Sequence, residues 1–83
     1  MIVALTLGPL TAPAEAACLS QRESRHVVKS GQAVRASIAL RRAGIRPRDA
    51  VSIELCESGR GYVYEVSVLE SSGELSRLTI PAN

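Results

Sequence analysis

The stretch Gly61-Tyr62-Val63-Tyr64-Glu65-Val66-Ser67-Val68-Leu69 places Tyr62, Tyr64, Val66 and Val68 on one side of an extended chain and Val63, Glu65, Ser67 and Leu69 on the other. Alternation in a run rich in β-branched and aromatic residues, with glycines on both flanks, is the pattern of a strand with one buried face. Such a strand needs neighbours to pair with and a cover for its apolar side.

Neighbours are present on both sides. Upstream, Val51, Ile53 and Leu55 alternate with Ser52, Glu54 and Cys56, and Glu57-Ser58-Gly59-Arg60-Gly61 supplies a glycine-containing hairpin loop. Downstream, Glu70-Ser71-Ser72-Gly73-Glu74 makes a second hairpin, after which Ser76, Leu78 and Ile80 alternate with Leu75, Arg77 and Thr79 until Pro81 ends the strand. Sequential strands with short loops form an antiparallel meander, and one apolar face per strand calls for helices on that face.

The cover lies earlier in the chain. Ser20-Gln21-Arg22-Glu23 fits a capping box, so a helix is expected from Ser20 through Val27 and Val28 to Lys29, with Gly31 available for a left-handed turn after its end. A second helix is expected from the Val34–Ser37 region to Ala43, presenting Val34, Ile38 and Ile45 on one side with Ala36, Leu40 and Ala43 beside them. Gly44 and Pro47 stop it. The fold class that follows is α+β, two N-terminal helices packed on one face of a three-stranded antiparallel β-meander.

Residues 1–16 are read as an export signal and residues 17–83 as a single domain. Ile2 to Ala14 is apolar and uncharged, and Ala14-Glu15-Ala16 offers an A-x-A site for cleavage after Ala16. No basic residue precedes the apolar run, so this reading places the true start codon upstream. A poorly ordered tail on a cytosolic protein is the competing reading. A membrane span is disfavoured because the run falls short of the ~20 residues needed and contains Gly8, Pro9 and Pro13. A lipoprotein signal is disfavoured by Glu15, where an aliphatic residue would be wanted. Export implies a periplasmic or secreted location.

A domain of residues 17–83 is marginal without a covalent staple. Cys18 and Cys56 are the only cysteines, and in an exported chain they are expected to pair. The competing readings are a free buried Cys56 or a metal pair, the latter poorly served because His26 is the only histidine. Cys56 falls on the face opposite Val51, Ile53 and Leu55, so pairing requires a bulge, a strong twist, or a segment before the first helix that wraps around a sheet edge.

Charge divides the chain. From Cys18 to Arg48 eight basic side chains face Glu23 alone, whereas from Asp49 to Asn83 only Arg60 and Arg77 offset six acids. The helical half could therefore meet an acidic partner through Arg35, Arg41, Arg42, Arg46 and Arg48, or the two halves could neutralise one another across the fold. Nucleic acid is not an expected partner, because Tyr62 and Tyr64, the only residues suited to stacking on bases, are wanted in the core.

No constellation for catalysis or for a metal or other cofactor is recognisable. His26 sits beside Arg22, Arg25 and Lys29 on a basic helix and reads as solvated surface, the serines belong to turns and caps, and Glu54 and Glu65 could meet on the open face of the sheet as part of a polar surface. The sheet edges offer a different kind of binding, strand addition by an extended peptide, unless Glu54, Arg77 and Pro81 serve only to protect them.

In the order of its elements, with Gly61-Tyr62-Val63-Tyr64-Glu65-Val66 in the central strand and the turn at Gly73, the chain resembles the PepSY family. Within that family it is most similar to small exported proteins of proteobacteria that open with a signal peptide and a Cys-Leu-Ser segment, here Cys18-Leu19-Ser20. The resemblance covers Cys18 to Ile80 and is strongest from Tyr62 to Leu69. It departs at the end, where members continue into an Asp-Ala-x-Thr-Gly turn and this sequence reads Pro81-Ala82-Asn83. The resemblance implies a non-catalytic interaction module of the kind found in propeptides of thermolysin-type metallopeptidases and in envelope regulators, with a protein or peptide, such as a peptidase, as partner. The second expectation is an electrostatic binder of anionic cell-envelope surfaces through the basic helical half.

Overall fold

A computed structural model describes residues 17–59 and 61–83, so the expected export signal lies outside the described residues. Helix α1 spans Gln21–Lys29 and helix α2 spans Ala36–Ala43. A 3-10 turn at Pro47–Asp49 leads into strands β1 (Ala50–Ser58), β2 (Gly61–Leu69) and β3 (Leu75–Pro81). The strands form one antiparallel sheet in the order β1-β2-β3, with the tyrosine-bearing strand in the centre as its alternation requires.

Both helices are set by local signals. The Ser20 side chain accepts from the Glu23 N–H and the Glu23 carboxylate accepts from the Ser20 N–H, closing the capping box. At the other end Gly31 takes a φ of 85°, its N–H donating to the Val28 carbonyl while the Gln32 N–H donates to that of Val27. This satisfies carbonyls that the helix would otherwise leave orphaned. The same device ends α2, where Gly44 at φ 74° lets the Ile45 N–H reach the Leu40 carbonyl. Arg35, the N-cap of α2, makes no side-chain cap.

One core joins the layers. Val27 of α1 and Ala39 and Leu40 of α2 meet Leu55, Tyr64, Val66 and Ile80 of the sheet, with Ala33 and Ala82 closing the cluster. All of these strand residues lie on one side of the sheet, so both helices cover the same face. The buried stripe of α2 is rotated from the expected one. Ala39 and Leu40 are its buried residues, Ala36 packs against the core, and Ile38 is only half-buried while Ala43 is exposed. Small alanines let so short a helix approach the sheet closely, which leaves the bulkier Ile38 at the flank.

One further expectation needs correcting. Val51 does not share the buried face with Ile53 and Leu55, being 54% exposed, because the register slips between Ala50 and Ser52. One extra residue opposes β2 there, so Ala50, opposite Val68, packs on the core instead. Pro81 ends β3 as expected, as its last residue, paired with Val63. The Ala82 N–H donates to the Tyr62 carbonyl, so by alternation the nitrogen of Pro81 faces away from β2 and no ladder bond is lost.

Candidate functional site, a groove along an open strand edge

Cys18 and Cys56 are disulfide-bonded. The Cys18-Leu19 segment runs antiparallel beside the free edge of β1, with Cys18 opposite Cys56 and the Leu19 N–H donating to the Leu55 carbonyl at 2.8 Å. The position of Cys56 on the outer face is thereby resolved. The chain wraps an edge, and the sulfur bond forms between two residues facing one another across it. Because both thiols are consumed, the nearby cluster of Cys18, Glu54 and Cys56 offers a cation no thiolate.

Just past this short pairing the chain turns into α1, and a groove of about 1330 Å³ opens between α1, the start of α2 and β1. Its floor is apolar, built from Leu19, Val28, Ala36, Ile53, Leu55 and Tyr64. Gln21, Arg25 and Val28, at helical spacing, line the α1 wall, which explains why Val28 is half-buried while its neighbour Val27 is fully inside. Arg22, Arg25, His26, Lys29 and Arg35 rim the opening, and Glu54 marks its sheet side.

The edge of β1 is part of this groove. The Leu55 carbonyl faces outward, since it accepts from Leu19. Backbone groups alternate along a strand, so Ile53, two residues away, presents its N–H and C=O in the same direction. Cys18-Leu19 stops short of it. The result is a stretch of strand edge, unpaired among the described residues, that opens into an apolar trough.

The electrostatics are one-sided. Among the described residues the ion pairs within 4.0 Å are Arg48 with Asp49 and Arg77 with Glu65, each at 3.8 Å. The first links neighbours in one turn and the second lies within the sheet, so neutralisation of a helix by the sheet is not realised through ion pairs among the described residues. Glu54 and Glu65 do stand directly opposite one another on the outer face, where Glu65 also accepts from Thr79. The rim cations on the helical side find no carboxylate partner among the described residues.

The five arginines expected to form one surface are divided. Arg41, Arg42, Arg46 and Arg48 follow one another, all exposed, around the last turn of α2 and the 3-10 turn, with Arg42 donating to the Asn83 carbonyl. Arg35 sits at the opposite end of α2, roughly 12 Å of helix away, and belongs to the groove. Arg22, Arg25 and Lys29, named from sequence only as the basic neighbours of His26, are rim residues that were not among the expected partner surface. Their spacing on one short helix was the signal available.

These features define a small disulfide-closed α+β domain with an open-edged, cation-rimmed groove. No known family model, no curated protein and no solved structure matches this chain.

Proposed function

We propose that this protein is a non-catalytic interaction module of PepSY type, acting outside the cytoplasm on a protein or peptide partner, with restraint of a peptidase as the form of action its resemblance favours. The observation that carries this reading is the edge of β1 at Ile53, unpaired among the described residues and opening into the apolar groove. An extended segment laid there gains main-chain hydrogen bonds from the edge and side-chain burial from the floor. The disulfide supports an oxidising compartment, periplasmic or secreted. Among the described residues no helix is long and apolar enough to cross a membrane.

A second reading has its own observation, the run of exposed guanidiniums at Arg41, Arg42, Arg46 and Arg48, which suits an anionic envelope surface. Capture of partners from periplasmic extract by the oxidised protein, at low and at physiological salt, separates the two. Strand addition is expected to survive the higher salt and the double change Arg41→Glu, Arg42→Glu, whereas surface adhesion weakens steeply under both. Capture that is lost under both conditions overturns the preferred reading.

A further inference from the structure

Resting on the groove as the site of partner binding, we infer that its ligand class is an acidic extended peptide, seated as an added strand against Ile53 with its carboxylates under the α1 rim. Arg22, Arg25, Lys29 and Arg35 lie along one opening without a carboxylate partner among the described residues. Like charges three and four residues apart on one helix repel. An acidic ligand relieves that repulsion, and a basic one adds to it.

The sheet supplies the rest of the pattern. Side chains of an added strand alternate between the two faces. Those on the helical face meet the half-buried Ile53 and Val28 or reach the rim cations, and therefore suit aliphatic and acidic residues. Those on the other face stand beside Glu54, and suit lysine or small polar residues. The expected ligand alternates acidic or aliphatic with neutral or basic residues, carries net negative charge and contains no proline where it meets the edge.

Fluorescence anisotropy with synthetic eight-residue peptides of this pattern tests the inference on the oxidised protein. The acidic peptide is expected to bind, its charge-swapped counterpart to bind at least about tenfold more weakly, and Arg25→Glu with Lys29→Glu to weaken the acidic peptide by about tenfold. Arg41→Glu with Arg46→Glu, at the far end of α2, leaves binding unchanged. Methylating alternate backbone amides gives two further peptides, of which only the one blocked on the β1 side loses affinity.

Equal binding of the acidic and charge-swapped peptides overturns the acidic class while leaving the groove as the site. Failure of every peptide, with binding instead to phosphatidylglycerol vesicles that is lost in Arg41→Glu, Arg46→Glu, overturns the groove reading itself.

Discussion

The hydroxyl of Tyr64 donates a 2.8 Å hydrogen bond to the carbonyl of Val34, tying the centre of the sheet to the loop between the helices. The Val34 N–H in turn donates to the Ala82 carbonyl at 2.6 Å, so one residue is held by both the middle strand and the end of the chain. Tyr62 adds a longer contact to Gln32 in the same loop. The paired tyrosines thus hold the α1–α2 connection in place, and with it the helical wall of the groove.

Tyr64→Phe keeps the ring in the core and removes the hydroxyl. Stability to urea is expected to fall by about 1 kcal/mol, the net worth of one such bond. Burial pushes the Tyr64 hydroxyl above its ordinary value of 10.0. Its stabilising contribution is therefore complete below pH 10 and lost as the pH climbs through the folded-state value. The gap between wild type and Tyr64→Phe should narrow in that alkaline range and stay constant below it.

The disulfide closes a separation of 38 residues, and reduction is expected to cost roughly 4 kcal/mol on the chain-entropy account. Urea melts with and without reductant measure it. Hydrogen exchange should show the Leu19 amide, bonded to Leu55, losing protection before the β2 amides do.

Two neighbouring positions in β1 test the register slip. Leu55, 2% exposed, should lose about 2–5 kcal/mol on change to Ala. Val51→Ala should fall within about 0.5 kcal/mol of wild type. Comparable losses at both positions would mean that the strand alternates without the extra residue.

Ser20→Ala removes one half of the capping box, and thermal unfolding should report a loss of about 1 kcal/mol. Because α1 carries the groove wall, the same change should also weaken ligand binding.

What could be read from sequence tracks how local each determinant is. The capping box at Ser20 and Glu23, the stop at Gly44 and both hairpins depend on residues a few positions apart, and each formed where its pattern stood. The pairing of Cys18 with Cys56 was legible from chemistry, but its route along the β1 edge was not, because Cys18-Leu19 is too short to read as a strand. The slip that exposes Val51 depends on how β1 meets β2, and no periodicity within β1 encodes it. The groove was hidden for a related reason. It is the space left between α1 and an edge strand, so Arg25, Lys29 and Ile53 become neighbours of one site only when the layers are assembled.

The most direct test of peptide docking at the open edge is residue-resolved amide exchange and chemical shifts of the oxidised protein, recorded with and without the acidic peptide. The amide of Ile53 should become protected, with shift changes at Leu55, Arg25 and Val28. An Ile53 amide that exchanges as before, with changes centred on Arg41, Arg46 and Arg48, would contradict it.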